Sequence, residues 1–285
     1  MMHVAPDAPR RPALRYYGGK FRLAPWIISH FPEHQNYVEP CCGACSVLLQ
    51  KPRSLLETVN DLDGNVVNFF RVLRSQPAHL VRQIMLTPWA REEYEDCKLP
   101  TDDPVDAARR FYFLAVMGIG ASQRESSGMR MVMETNGGIP AVYNTGPAHL
   151  MTIADRLLGV QFEHRDALDV IIDYNREGTL FYFDPPYVKS TRTHQEEYTV
   201  EAGDLFHTQA AALLRTCQGY VVVSGYACDL YRELYEDHDW QRVDKEAQTN
   251  SGGKRIESLW LSPRTVEALQ MPQQAPLFAH LEATP

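Results

Sequence analysis

The sequence has no hydrophobic run that approaches the ~20 residues needed to cross a bilayer. Its first residues, MMHVAPDAPRRPA, carry proline and charge where a signal peptide would be apolar. Basic residues are also in deficit, because 28 Lys and Arg stand against 36 Asp and Glu and give a formal net charge of −8. We therefore expect a cytoplasmic protein with no membrane partner, and we expect any contact with a polyanion to be local.

Cysteine is scarce and unevenly placed. The six cysteines, three of them at positions 41, 42 and 45, lack the regular spacing of a secreted disulfide framework. Cys42 and Cys45 have the C-x-x-C spacing of a dithiol or of half a zinc site. A structural zinc site needs a second pair of ligands at similar spacing, which the sequence lacks. We therefore expect free thiols and no metal.

Most of the chain alternates short β-rich runs with amphipathic segments. Apolar and β-branched runs predict strands at 36–39, 55–60, 160–163, 180–184, 220–224 and 256–261. Segments 64–75, 166–174 and 205–217 have apolar residues at helical spacing and predict crossover helices. This order predicts an α/β fold with a mostly parallel sheet.

The alternation stops between residues 77 and 155. There the sequence predicts several helices and then a stretch that contains Gly, Ser and Arg (GASQRESSGMRMVMETNGGIP). We therefore predict an inserted subdomain at 77–155 within one domain formed by 14–76 and 156–265. Residues 1–13 and 266–285 both contain several prolines and are expected to be a loose leader and a loose tail.

Small residues follow the strand at 36–39. The strand ends at Glu39, and the loop PCCGA at 40–44 comes directly after it. Small residues at this position let a nucleotide-like cofactor approach backbone N–H groups at the carboxyl end of a strand. Asp61 ends the next strand, near the ~20-residue spacing at which an acid contacts ribose hydroxyls in dinucleotide folds. A tight structural turn and a helix cap at Asp61 are the alternatives.

The strand at 180–184 ends in Asp184-Pro185-Pro186-Tyr187. Two successive prolines fix the backbone and remove two N–H donors, which leaves carbonyl oxygens as acceptors. A ring amine can donate one hydrogen bond to the Asp184 carboxylate and one to the Pro185 carbonyl while Tyr187 stacks on the ring. The segment therefore predicts chemistry at an exocyclic amine. The alternative is a proline-rich turn after a buried strand.

Four segments taken together resemble the Dam-type N6-adenine DNA methyltransferases: YGGK at 17–20, VEPCCGA at 38–44, NDLD at 60–63 and DPPY at 184–187. The resemblance extends from about residue 14 to residue 262. It implies a Rossmann-like methyltransferase sheet in which a target-recognition insert separates the cofactor half from the DPPY half. It also implies a site-specific enzyme that transfers a methyl group from S-adenosylmethionine to N6 of a flipped adenine in double-stranded DNA.

The resemblance also implies roles for individual residues. Those implied to border the cofactor are Tyr16, Tyr17 and Lys20, with Glu39, Pro40, Cys42 and Gly43 at its methionine part, Asp61 at its ribose and Asp166 at its adenine edge. Asp184, Pro185, Pro186 and Tyr187 are implied to hold the target adenine beside the methyl group, with Asp184 also next to the cofactor. The chain has Cys45 where the family has glycine. That difference predicts either a narrower pocket or a different local backbone.

DNA contacts must be local because the net charge is negative. We predict contacts from basic residues that flank the insert, the DPPY segment and a late glycine-containing loop, namely Arg124, Arg130, Lys189, Arg192, Lys254 and Arg255. A homodimer suits a palindromic site, although no residue requires it.

Other functions are open at this point. An N4-cytosine DNA methyltransferase also modifies a ring amine, although its loop more often begins with Ser than with Asp. A protein-glutamine methyltransferase is disfavoured by Asp184 and Lys20. A dithiol redox protein built on Cys42 and Cys45, and a DNA-binding regulator that has lost catalysis, are the alternatives from other classes.

Overall fold

A single seven-stranded sheet carries the alternating part of the chain in the computed structural model, which describes residues 2–118, 128–129, 147–191, 202–248 and 254–271. The strands are β1 (Asn36–Glu39), β2 (Leu56–Asn60), β3 (Gln161–Glu163), β4 (Thr179–Phe183), β5 (Tyr220–Gly225), β6 (Gln241–Gln248) and β7 (Lys254–Leu261). Their order is β3-β2-β1-β4-β5-β7-β6. Strands β1 to β5 pair in parallel, and β7 pairs antiparallel with β5 and β6. The predicted α/β class and mostly parallel sheet are confirmed.

Helices cover both faces of the sheet. The described ones are α1 (Ala24–Ile28), α2 (Gly64–Ser75), α3 (Pro77–Leu86), α4 (Arg91–Asp96), α5 (Pro104–Met117), α6 (His149–Arg156), α7 (Ala167–Asp173), α8 (Asp204–Leu214), α9 (Asp229–Leu234) and α10 (Pro263–Gln270). Helices α1, α2, α3, α5 and α6 share one core with Tyr37 and Tyr182, and α7, α8 and α9 share the other with Val38 and Phe183. This division follows the alternation of side chains along each strand.

Several helices begin where a short acidic side chain caps them. Asp63 accepts a hydrogen bond from Asn65 N at 2.9 Å at the start of α2, and Asp103 accepts one from Val105 N at 2.9 Å at the start of α5. Asp166 accepts one from Leu168 N at 2.8 Å at the start of α7. Each carboxylate satisfies an N–H group that has no partner within the helix.

Strand β6 is the one described strand that the sequence did not predict. Its sequence, QRVDKEAQ, has no apolar alternation, and its described side chains are exposed or half-buried. Charged side chains are typical of an edge strand, because they oppose pairing with a further strand. Its partner β7 begins at Lys254, two residues before the predicted start, and continues to the predicted end.

The described residues of the predicted insert are mostly helical and pack on helix α2. Leu80 of α3, Phe111 of α5 and Ile153 of α6 belong to the same hydrophobic core as β1 and β4. Residues 2–13 also contact the body of the protein, because Ala5 N donates to Gln50 O at 2.8 Å and Ala13 is buried. The boundaries of the insert, the leader and the tail stay predictions.

The helices that the structure describes include none with the length and apolar character of a membrane span. Within the same residues, no three side chains of the His, Cys, Asp or Glu type form a group suited to a metal ion.

Candidate active site

A cavity opens at the carboxyl ends of β1, β2 and β4. Strand order reverses between β1 and β4, and ligands of open α/β sheets bind at such a switch point. All ten residues predicted to contact a cofactor line this cavity: Tyr16, Tyr17, Lys20, Glu39, Pro40, Cys42, Gly43, Asp61, Asp166 and Asp184. Pro186 of the predicted catalytic segment also lines it, whereas Pro185 and Tyr187 lie outside its lining.

The loop after β1 is folded tightly against the end of β2. Gly43 has a φ of +46°, and its N–H donates to Asp61 Oδ2 at 2.8 Å. A Cβ at Gly43 would lie 2.9 Å from Cε1 of Tyr16, so this position requires glycine for both conformation and space. The other oxygen of Asp61 accepts from Asp63 N at 2.9 Å. Burial raises the pKa of Asp61 to about 6.

Cys45 adopts a left-handed backbone conformation, with a φ of +52°. Its side chain is fully buried in the core and does not line the cavity. Of the two outcomes predicted for Cys45, the narrower pocket is therefore wrong, and the backbone has the left-handed conformation that favours glycine. Its thiol is hydrogen-bonded with that of Cys42, and burial raises the pKa of Cys42 well above its usual value. Neither thiol has the lowered pKa of a reactive dithiol.

Glu39 is a buried carboxyl group on the cavity wall. Tyr37 lies two residues earlier on the same face of β1, and its hydroxyl donates to Glu39 Oε2 at 2.9 Å. Burial raises the pKa of Glu39 to about 8, and the nearby carboxylate of Asp184 adds to the shift. At neutral pH, Glu39 is therefore mostly protonated in the protein alone.

Asn60 joins the ends of three strands, a role that sequence reasoning missed. Its amide group donates to Pro40 O at 2.8 Å and to Arg165 O at 3.0 Å, and its Oδ1 accepts from Arg165 N at 2.9 Å. These bonds fix the loops that follow β1 and β3 relative to β2. The sequence predicts a role for the next residue, Asp61, because acids at that spacing contact ribose hydroxyls. Asn60 is part of the NDLD segment, but nothing in its spacing predicts these hydrogen bonds.

Asp184 stands at the end of β4 with two donors on one of its oxygens. Ser224 Oγ donates to Asp184 Oδ1 at 2.5 Å, and Lys20 Nζ lies 3.0 Å from the same oxygen. Lys20 also donates to Gly18 O at 2.7 Å. Sequence reasoning missed Ser224, although the apolar run of β5 ends in this polar residue directly beside the end of β4.

Tyr187 is buried, with only 4% of its surface exposed. Lys20 Nζ lies 4.6 Å from the centre of its ring, and Tyr226 packs edge-to-face against it at 4.5 Å between ring centres. Glu257 accepts from both hydroxyls, from Tyr187 at 3.1 Å and from Tyr226 at 3.2 Å. Tyr226 and Glu257 were not predicted, because their role depends on the packing of β5 against β7.

The structure describes only part of the predicted DNA contact surface. Lys254 is exposed and pairs with Glu246 Oε2 at 3.2 Å. Arg255 donates to the Tyr226 hydroxyl at 2.9 Å and lies over its ring at 4.5 Å, beside the tyrosine pair. Lys189 begins a 3₁₀ turn at Lys189–Thr191. Predicted contacts that lie outside the described residues are those of Arg124, Arg130 and Arg192.

A family model described as D12 class N6 adenine-specific DNA methyltransferase matches residues 16–250. The chain belongs to this family. The D12 match confirms the resemblance of the four motifs and assigns the enzyme methyl transfer to N6 of adenine in DNA, which requires a methyl donor. The N4-cytosine and dithiol alternatives are not favoured.

Known proteins similar to this D12 methyltransferase include two kinds of DNA methyltransferase. The type II methyltransferase M1.LlaDCHI of Lactococcus lactis subsp. cremoris is 24% identical over 270 residues, which cover 86% of this chain and 90% of that protein. The DNA adenine methylase of Vibrio cholerae serotype O1 is 34% identical over 76 residues, 26% of each chain. A solved structure, that of rRNA methyltransferase aviRa from Streptomyces viridochromogenes, matches with a TM-score of 0.39 and 15% identity over 94% of this chain and 91% of that one.

Proposed function

We propose that this D12 methyltransferase uses S-adenosylmethionine to methylate an adenine that is flipped out of double-stranded DNA, and that Asp184 holds the target amine. The observation that carries the proposal is the position of Asp184. Its carboxylate lies at the carboxyl end of β4, on the wall of the cavity that the predicted cofactor residues also line. A methyl donor in that cavity and a base at the DPPY segment would therefore share Asp184.

The cavity suits a donor that carries a ribose, an amino acid and a positive charge. Two buried polar atoms of its wall, Ser46 Oγ and Asp63 Oδ2, have no hydrogen-bond partner among the described residues. Glu39 adds a carboxyl group and Asp61 adds another at the end of β2. The residues that would hold the donor are Tyr16, Tyr17, Lys20, Glu39, Pro40, Cys42, Gly43, Asp61 and Asp166. When bound, S-adenosylmethionine supplies an electrophilic methyl group on a sulfonium.

The DPPY segment would orient the nucleophile. Asp184 and the Pro185 carbonyl accept the two N–H groups of the target amine, and these acceptors stabilise the positive charge that develops on N6. Orientation supplies much of the remaining rate. Lys20 Nζ lies 4.6 Å from the centre of the Tyr187 ring, so a base that stacks on this ring would use the face opposite Lys20 or displace it. Stacking of the base on Tyr187 would offset part of the free energy needed to flip it, which is roughly a few kcal/mol.

DNA would be met by the basic positions around the site rather than by the whole surface. Phosphate contacts from residues such as Lys254 and Arg255 predict binding that weakens steeply as salt rises. The Lactococcus relative is a type II methyltransferase by name. In line with that name we propose a restriction-modification setting and a cytoplasmic location. Dimer formation on a palindromic site stays a prediction.

The test is a methylation assay on the intact chain. The protein is incubated with unmethylated genomic DNA and methyl-labelled S-adenosylmethionine, and the product is analysed by nucleoside mass spectrometry and modification-aware sequencing. We expect label in N6-methyladenine at one recurring sequence. Label in N4-methylcytosine, or donor binding without transfer to adenine, would contradict the proposal.

A further inference from the structure

Asp184 has two carboxylate oxygens, and the closest contacts that the described residues make with this side chain fall on one of them. Ser224 Oγ and Lys20 Nζ both contact Oδ1, at 2.5 Å and 3.0 Å. No hydrogen bond to Oδ2 is found among the described residues. If Asp184 accepts a hydrogen bond from the target amine, as the proposed function requires, this asymmetry assigns Oδ2 to the substrate.

The sheet itself sets this arrangement. Phe183 pairs with Val223 in the parallel register of β4 and β5, so the next residues, Asp184 and Ser224, leave the two strands side by side. Tyr182 lies two residues before Asp184 and therefore points to the same face. Its hydroxyl donates to Ser224 Oγ at 3.2 Å. The hydrogen bonds thus run in one direction, from Tyr182 to Ser224 to Asp184.

Solvent has almost no access to the two hydroxyl groups. Tyr182 is 0% exposed and Ser224 is 2% exposed. A buried serine hydroxyl that accepts from Tyr182 has its own proton available for a single acceptor, and Oδ1 of Asp184 is that acceptor. The geometry therefore orients the serine as well as the carboxylate.

We propose that Ser224 is a positioning residue for methyl transfer, which acts by fixing the Asp184 carboxylate with Oδ2 toward the target amine. The proposal rests on the proposed function. Ser224 acts through Asp184 and is not assigned any contact with the base or the donor. Without the Ser224 hydroxyl, the Asp184 carboxylate keeps its contact with Lys20 at Oδ1 but gains freedom to rotate. A misplacement of about 1 Å in such a group costs up to about 100-fold in rate.

The experiment compares three variants in single-turnover methyl transfer with donor and duplex both saturating. We expect Ser224→Ala to transfer about 10- to 100-fold more slowly, with a donor Kd within about twofold of that of the parent chain. Ser224→Thr keeps the hydroxyl on a side chain that suits a strand, and we expect it to retain most of the rate. Tyr182→Phe removes only the donor to Ser224, and we expect a loss of several-fold.

The chain offers a matched control at Ser258. This serine is also buried in the sheet, on β7, and its hydroxyl donates to Asp244 Oδ1 at 2.7 Å. Ser258→Ala removes the same kind of bond, but one that joins β7 to β6 and does not involve the Asp184 carboxylate, although Ser258 pairs with Gly225 in the sheet. We expect it to lower the melting temperature about as much as Ser224→Ala does while leaving the single-turnover rate unchanged.

Three results would overturn the positioning role. The first is a parental rate in Ser224→Ala while Asp184→Ala is inactive, which would leave the proposed function intact. The second is an equal loss of rate, donor affinity and melting temperature in Ser224→Ala and Ser224→Thr, which would indicate a structural role. If Ser224→Ala does not fold, a parental rate in Tyr182→Phe is the third. A parent chain that transfers no methyl group to adenine would overturn both proposals.

Discussion

Two buried ion clusters lie at opposite ends of the same sheet and are built from similar residues. The amino-end cluster consists of Lys51, Glu57 and Arg156. The carboxyl-end cluster consists of Lys20, Asp184 and Ser224. Each pairs a buried lysine with a carboxylate, which is buried in Glu57 and half-buried in Asp184. They differ in how fully the carboxylate is used.

The amino-end carboxylate has donors on both oxygens. Glu57 Oε1 accepts from Lys51 Nζ at 2.8 Å, from Ser54 N at 3.1 Å and from Arg156 Nη2 at 2.9 Å, and Oε2 accepts from Arg156 Nη1 at 2.7 Å. Burial alone would raise the pKa of Glu57, but Arg156 and Lys51 hold it below its usual value. The cluster joins α6 to β2 and offers no acceptor to a ligand.

The carboxyl-end carboxylate and its neighbours are less completely paired. The contacts of Asp184 fall on Oδ1, and burial raises the pKa of Glu39 to about 8 and that of Asp61 to about 6. Groups held in this way are available to a cationic donor and to an amine. A carboxylate with donors on both oxygens stabilises the fold, whereas an incompletely paired one is suited to binding and chemistry.

The largest effect should come from Asp184→Ala. We expect methyl transfer to fall by about 1,000-fold or more, because the variant loses the acceptor for the target amine. We expect donor affinity to change only a few-fold, because most of the cavity wall is untouched. Rates by mass spectrometry and donor Kd by calorimetry check both parts. A variant that still methylates adenine at the parental rate would show that the carboxyl-end cluster is not needed for methyl transfer.

Arg156→Met should have the opposite profile. It leaves Glu57 with half of its donors, and breaking a buried ion pair costs about 3–5 kcal/mol of unfolding free energy. Urea denaturation measures this loss. Arg53→Met is the control, since Arg53 is exposed and donates only to backbone carbonyls of 155 and 158. We expect the single-turnover rate of folded Arg156→Met to match that of the parent chain. A large rate loss would contradict a purely stabilising role for the amino-end cluster.

Glu39 should make donor binding depend on pH. Its pKa of about 8 falls when a cationic donor binds beside it, so binding below pH 8 releases a proton. Donor affinity should therefore rise with pH between 7 and 8, by at most about tenfold per pH unit, and level off above that range. Calorimetry in two buffers of different ionisation enthalpy counts the proton. Glu39→Gln should abolish this slope, and an unchanged slope would exclude Glu39 as its source.

Cys45 is expected to affect stability rather than donor binding, although it lies near the cavity. It lies in the carboxyl-end loop, yet it faces the core. Cys45→Gly relieves about 1–2 kcal/mol of left-handed strain but loses packing and adds chain entropy, so we expect unfolding free energy to change by less than about 1 kcal/mol. Donor Kd should stay within about twofold. Cys45→Val, which is β-branched at positive φ, should lose more stability, and calorimetric unfolding checks the pair.

The residues that sequence reasoning placed on the cavity are those with a local signal. Glu39 and Asp184 follow apolar runs, and strand ends of this kind can be located from the sequence alone. Ser224 also ends an apolar run, but its partner depends on the register between strands, and the two residues are 40 positions apart. Glu57 and Arg156 are 99 residues apart, and their pairing depends on how α6 packs against β2.

For Tyr187 the sequence predicts the residue but not its partners. The DPPY segment predicts an aromatic ring next to an acid, and the ring is there. The sequence does not reveal that Lys20 lies over that ring or that Glu257 of β7 accepts from its hydroxyl. Both contacts come from elements distant in the chain, so they follow from tertiary packing rather than from local pattern. The role of the ring toward a base stays a prediction.

The contact between Pro12 O and His149 Nε2, at 3.1 Å, joins residues 137 positions apart. At a ribosomal rate of about 5–20 residues per second, roughly 7 to 27 s separate the synthesis of these two partners. Lys20 is likewise synthesised before the predicted insert, and its partner Asp184 is synthesised after it. Pro12 therefore leaves the ribosome well before its contact with His149 exists, and the ion pair of the candidate active site is completed only after Asp184 has been translated.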